Sequence, residues 1–109
     1  MADKTYNGWT NYETWNVKLW LDNEQGTYYE VTGHATEVYA EAAEDGQDAT
    51  DYPYSTNMAT WLKEYVEEMQ PELPASTFSD LLNAALSEVD WLEIAKSYLD
   101  DAKEEAERS

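Results

Sequence analysis

The sequence predicts a small all-α domain of about four to five helices, and three observations lead there. Apolar residues recur at i, i+3, i+4 and i+7 in successive windows. Capping residues, glycines and prolines fall between those windows, where helices start and stop. The length, 109 residues, suits one domain over 1–109 that buries roughly 60% or more of the surface its unfolded chain exposes. Five Trp and nine Tyr supply the aromatic content that disordered segments lack.

Asn11 or Thr10 caps a first helix running from Tyr12 to Leu21. Tyr12, Trp15 and Leu19 share one face with Trp20 beside them, and Gly26 is placed to end it. A second helix covers about Thr27 to Glu44, with Tyr28, Val31, Ala35, Val38, Tyr39 and Ala42 near helical spacing. Gly33 inside it costs on the order of 1 kcal/mol relative to Ala. The β-branched Val31 and Thr32 make a turn or short strand over 27–33 the alternative. Asp45-Gly46 stops this helix, and residues 47–54 read as a polar loop punctuated by Pro53.

Ser55 or Thr56 caps a third helix, in which Met58, Trp61, Leu62, Tyr65, Val66 and Met69 keep strict helical spacing until Pro71 and Pro74. Thr77, with Asp80 three residues on, opens a fourth carrying Phe78, Leu81, Leu82, Ala85, Leu86 and Val89. Ser87 or Asp90 restarts a fifth with Trp91, Leu92, Ala95, Tyr98, Leu99 and Ala102, either separate or as the continuation of a bent fourth. Residues 102–109 are expected to fray as a charged tail.

Charge bounds the function. There are 24 Asp and Glu against 6 Lys and Arg, a formal net charge of −18. Direct nucleic-acid binding draws on cations that neutralise phosphates, so this balance excludes it, and it disfavours anionic membranes equally. No apolar run approaches the roughly 20 residues of a membrane span. The start, Met1 to Thr5, lacks a basic stretch followed by an apolar one. A cytoplasmic location is therefore expected.

Enzyme chemistry has few parts. The absence of Cys removes disulfides, zinc thiolates and thiol catalysis. His34 is the only His, with nothing to mark a nucleophile beside it, and a lone helical His reads as structural. Carboxylate pairs are too abundant for any one to mark a glycosidase-type site. Asp45, Asp48 and Asp51 offer weak divalent binding at most, since their spacing is not that of an EF-hand loop. No Gly-rich phosphate loop is present. The expectation is a non-enzyme with no cofactor and no dedicated metal.

The acids are unevenly placed. Between Lys18 and Lys63 there is no Lys or Arg, and that stretch holds Glu37, Glu41, Glu44, Asp45, Asp48 and Asp51. On a helix Glu37, Glu41 and Glu44 or Asp45 share a face at steps of roughly 6 Å, a mildly destabilising arrangement of like charges. Glu64, Glu67 and Glu68 form a second patch, and Asp100, Asp101, Glu104, Glu105 and Glu107 a third. Duplex DNA carries one charge per about 1.7 Å, so eighteen charges match about 30 Å of it, near the roughly 34 Å diameter expected of a domain this size. That match motivates nucleic-acid mimicry. The competing readings are a solvated acidic module and adaptation to a saline habitat, the latter faintly opposed by fifteen Glu against nine Asp. A saline-adapted protein with neither role would gain stability in molar salt.

The segment Tyr6-Asn7-Gly8-Trp9-Thr10-Asn11-Tyr12-Glu13-Thr14-Trp15-Asn16-Val17-Lys18-Leu19-Trp20-Leu21-Asp22-Asn23 resembles the N-terminal motif of small acidic proteins carried by phages, plasmids and other mobile elements. In size, acidity and aromatic content the chain is also similar to phage anti-defence proteins, including anti-restriction and anti-CRISPR DNA mimics. This resemblance implies stoichiometric inhibition of a host nucleic-acid-binding effector, a CRISPR effector or a restriction enzyme, in the host cytoplasm. The expected contacts are Glu37, Glu41, Glu44, Asp45, Asp48 and Asp51, then Glu64, Glu67 and Glu68. A homodimer would lengthen the acidic footprint.

Physically, the motif also reads as a folding signature: a cap at Asn11, a Gly turn, Glu13 at the helix N-terminus, and large buried areas from Trp9, Trp15 and Trp20. The alternative function is a non-enzymatic adaptor that binds a protein through exposed Trp9, Tyr12 or Asn16.

Overall fold

Five helices form over the residues described by the computed structural model, 6–69 and 77–108. They are α1 (Tyr12–Asn23), α2 (Gln25–Glu44), α3 (Tyr54–Glu68), α4 (Thr77–Ser87) and α5 (Trp91–Arg108). The all-α expectation holds: among the described residues the only extended pairing is an isolated bridge between Tyr6 and Trp9. That bridge closes a two-residue turn in which Asn7 (φ 47°) and Gly8 (φ 88°) both lie in the left-handed region. Asn-Gly is the pair that tolerates this best. Tyr6 and Trp9 exchange two backbone hydrogen bonds of 3.1 and 2.7 Å across it.

Asn11 caps α1: its extended backbone frees Oδ1 to accept from the Thr14 N–H at 2.9 Å. Gly26 does not end that helix. α1 stops at Asn23, Glu24 is extended, and Gly26 lies in the first turn of α2. No strand or turn interrupts 27–33 either. Val31 is fully buried, and the Thr32 hydroxyl donates back to the Tyr28 carbonyl at 2.8 Å, so these residues sit within the helix.

α2 ends as its sequence predicts. Gly46 takes φ 71°, its N–H bonds the Ala43 carbonyl (3.0 Å), and the Gln47 N–H bonds that of Ala42 (2.8 Å), the two bonds of a Schellman motif. The start of α3 departs from expectation. The helix begins at Tyr54 behind Pro53 with no side-chain cap, and Ser55 is buried inside the first turn. α4 and α5 are separate helices, because Asp90 turns its Oδ1 to the Glu93 N–H at 3.1 Å and caps α5. Helix α5 continues through the residues expected to fray, ending at Arg108. Pro71, Pro74 and the side chains of Thr77, Phe78, Asp80 and Leu81 lie outside the described part.

α5 is the hub. It packs against α2 and α3, α1 closes on α2 and α5, α2 also meets α3, and α4 takes part in none of these pairings. The core holds Val31, Ala35, Val38 and Ala42 of α2, Met58, Leu62 and Val66 of α3, and Ile94, Ala95, Tyr98 and Leu99 of α5. α1 turns a different face inward from the one its aromatic spacing suggests: Thr14 and Leu21 are buried, whereas Tyr12, Leu19 and Trp20 are exposed. The molecule measures 47 × 33 × 24 Å, more elongated than the expected diameter.

Candidate functional site

Two surfaces stand out, one acidic and one apolar. The acidic one is built on α2 and α3, which run antiparallel: His34 stacks on Trp61 with ring centroids 4.0 Å apart, and Trp61 on Tyr65 at 4.9 Å. With Val31, Ala35, Val38 and Ala42 drawn into the core, Glu37, Glu41 and Glu44 are left exposed on α2. Asp45, Asp48 and Asp51 follow in the exposed connection to α3. These six acids therefore run from Glu37, one turn from His34, to the end of the α2–α3 pair where the loop connects the helices. Glu64, Glu67 and Glu68, also exposed, sit about 15 Å of helix rise or more beyond Tyr54, at the opposite end. The structure makes two patches of the nine acids, with the stacked His34, Trp61 and Tyr65 between them.

The nine are not equivalent. Asp45 accepts a short hydrogen bond from the Tyr54 hydroxyl. Asp48 folds its own loop, accepting from the Thr50 N–H (2.9 Å) and hydroxyl (2.7 Å), and meets Lys103 Nζ at 3.5 Å. The Thr50 bonds hold the Asp48 carboxyl below its ordinary pKa, and the Asp48 charge raises that of Lys103. Glu37 lies 3.9 Å from His34 Nδ1, whose pKa is lowered first by burial, so the imidazole is neutral at pH 7 and gives that carboxylate no cation.

Three of the bases are paired: Lys18 with Asp22 at 2.5 Å, Lys103 with Asp48, and Arg108 with Glu104 (3.8 Å) and Glu105 (3.7 Å), while Lys63 on α3 and Lys96 on α5 are exposed. Eighteen net charges over a 47 Å axis is one per about 2.6 Å, somewhat sparser than the ~1.7 Å of duplex DNA.

Tyr54 reports on the acidic corner. Its hydrogen bond to Asp45, then burial, then the charges of Asp45 and Glu41 push its pKa from 10.0 up to about 12. A raised folded-state value favours the protonated phenol, so this contribution is complete below pH 10 and is lost as pH rises through 12. Denaturant midpoints should fall across that window, and Tyr54→Phe should flatten the fall. An unchanged slope in the variant would remove Tyr54 as its source.

The apolar surface is a groove of about 270 Å³ between α1, the C-terminal end of α3 and α4, lined by Tyr12, Val17, Trp20, Val66, Leu82 and Leu86 among others. Trp20 is 44% and Tyr12 49% exposed, so Trp20 does not supply the buried area expected of it. Tyr12 is braced by Tyr6 (5.1 Å) and Trp15 (5.7 Å). Of the expected aromatic contacts, Tyr12 and Asn16 line this groove. Trp9 instead packs against the core, its ring 5.9 Å from Lys18 Nζ. Trp20, Leu82 and Leu86 escaped the sequence reading as a surface because the groove exists only through the placement of three helices.

Among the described residues no group of three or more His, Asp or Glu side chains is arranged to hold a metal ion, and no helix is long and apolar enough to cross a membrane. The chain matches no curated protein and no solved structure. One family profile, described as a family of unknown function (DUF7249), matches residues 2–107, nearly the whole chain, and the protein belongs to that family.

Proposed function

We propose that this protein is a stoichiometric, non-catalytic inhibitor that presents its acidic surface to the basic groove of a nucleic-acid-binding protein. One observation carries the reading. Among the described residues the exposed carboxylates of α2 and its following loop face solvent without Lys or Arg partners except at Asp48, while Lys18, Lys103 and Arg108 are engaged in pairs with acids of the chain. The field over α2 and its loop is thus negative, and the exposed Lys63 and Lys96 lie on other helices. Such a field speeds encounter with a basic surface and makes the association salt-sensitive.

The target class that fits is a defence effector of the host of a phage or plasmid, a CRISPR effector or restriction enzyme, met in the cytoplasm. Glu37, Glu41, Glu44 and Asp51 are the contacts with least structural duty. Asp45 and Asp48 also hold the α2–α3 loop, and Glu64, Glu67 and Glu68 extend the footprint.

The test is a tagged pull-down from a lysate containing such effectors, washed at about 0.1 M and about 1 M salt. A nucleic-acid-binding protein retained only at low salt, and displaced by its own DNA or RNA, is the expected result. The combined change Glu37→Lys, Glu41→Lys, Glu44→Lys should abolish capture while leaving the far-ultraviolet circular dichroism unchanged. A partner indifferent to salt, to nucleic acid and to that triple change would overturn the proposal.

A further inference from the structure

We infer that the apolar groove between α1 and α4 receives a basic amphipathic helix of the protein partner. The inference deepens the acidic-surface reading, since it names a second point of contact on the same target.

The walls come first. Among the described residues α4 joins none of the close helix pairings, yet Leu82, Ala85 and Leu86 on it line the groove together with Val89. On the opposite wall Tyr12 and Trp20 present half their surface to solvent. Large aromatics around an apolar cleft are the residues that carry binding energy when covered. Tyr12 is held in place by the Tyr6 and Trp15 rings, at 5.1 and 5.7 Å, so little order has to be imposed on binding.

Size and shape select the kind of occupant. A volume of about 270 Å³ falls just short of the roughly 300–1,000 Å³ of small-molecule sites. It admits two or three apolar side chains. A cleft walled by helices suits the anchors that one face of an amphipathic helix presents at i, i+3, i+4 and i+7.

Charge then selects the partner. Glu13 lines the groove itself. Glu67 lines an adjoining cavity that shares Leu86, with Lys63 as the base beside it. Together with the net charge of −18, these acids favour Lys and Arg on the flanks of the bound helix. A second copy of the chain would bring the same net negative charge against this one, which disfavours a homodimer through this face.

The probe is a fluorescein-labelled synthetic helix of about fourteen residues, Leu along one face and Lys elsewhere, compared with a peptide of identical composition whose Leu residues are scattered. Anisotropy at about 0.15 M salt should show the patterned peptide binding at least ten-fold more tightly. Trp20→Ala should remove that advantage, with Leu86→Ser as a second variant in case the first does not fold. Glu37→Lys, Glu41→Lys, Glu44→Lys should weaken both peptides alike and preserve their ratio.

Equal binding of the two peptides, with no effect of Trp20→Ala, overturns the groove and leaves the acidic-surface reading standing. A patterned advantage alongside a salt-indifferent pull-down overturns the acidic-surface reading and leaves the groove. Failure of the patterned peptide to bind overturns the groove as well. So does a dimer in sedimentation equilibrium that Trp20→Ala dissociates, which would assign the face to a second copy.

Discussion

Thr14→Val should destabilise the domain by about 2–3 kcal/mol, although the two side chains have nearly the same shape. Thr14 is 0% exposed, and its hydroxyl joins the two ends of the chain. It donates to Asn11 Oδ1 at 2.6 Å and accepts from the Asp90 N–H at 2.9 Å, across 76 positions of sequence. Asn11 completes the junction through Nδ2, which donates to the Glu88 carbonyl at 2.7 Å. The cap of α1 is thereby bonded to the turn that starts α5. Valine keeps the packing, so the loss comes from a part-buried Asp90 N–H left without an acceptor, about 1–3 kcal/mol, plus the lost donor bond.

Asn11→Ala should cost a similar amount, roughly 0.5–2 kcal/mol for the cap and about 1 kcal/mol for the bond to Glu88. The double variant should cost less than the sum, because Asn11 and Thr14 share a hydrogen bond. Thr14→Ser, which keeps the hydroxyl, should recover most of the stability. Urea midpoints at constant m decide the matter, and wild-type stability in Thr14→Val would remove the junction from the account of folding.

This junction also shows which parts of the fold were legible. As helix caps, Asn11, Gly46 and Asp90 use bonds to residues within five positions, so residue type and spacing were enough to find that role. Thr14 acts through Asp90, and nothing local marks a helical Thr as bonded to a distant turn. The same distinction explains α1. Its aromatic spacing is real, but Tyr12 and Trp15 pack on Tyr6 as a small cluster of their own, while Thr14 and Leu21 enter the core. Periodicity locates a helix face without saying which neighbour covers it.

The candidate site divides along the same line. That Glu37, Glu41 and Glu44 face solvent follows from the apolar residues between them, which the core claims. That Glu64, Glu67 and Glu68 lie at the far end of the pair follows only from α3 running antiparallel to α2. The groove is a still less local feature, since Tyr12, Val66 and Leu86 come from three helices.

Asp22→Ala carries the other large effect, an expected loss of about 2–4 kcal/mol. Asp22 holds two groups at once: Lys18 Nζ at 2.5 Å on Oδ2 and the Tyr98 hydroxyl at 2.6 Å on Oδ1. Lys18 is only 13% exposed, with its ammonium 4.5 Å from the centre of the Tyr98 ring. Breaking a buried pair by removing one partner costs roughly 3–5 kcal/mol. The value expected here is lower because Asp22 is a third exposed and Asp101 lies within reach of the Lys18 charge.

Tyr98→Phe isolates one arm and should cost about 1.5–3 kcal/mol, the worth of a hydrogen bond to a charged acceptor. Lys18→Met with Asp22→Leu tests the rest. That pair leaves the net charge at −18 and replaces an ion pair by apolar contacts, so it should restore much of what Asp22→Ala loses. Raising salt to about 1 M should weaken the exposed Arg108 pairs and leave the Lys18–Asp22 contribution largely in place, because screening reaches solvent-facing charges first. Equal stability of Asp22→Ala and the wild type at both salt concentrations would show that Lys18 is solvated rather than paired. A paired Lys18 means that one of the chain's few bases is committed to closing α1 on α5, which keeps its charge out of the field that the exposed carboxylates present to solvent.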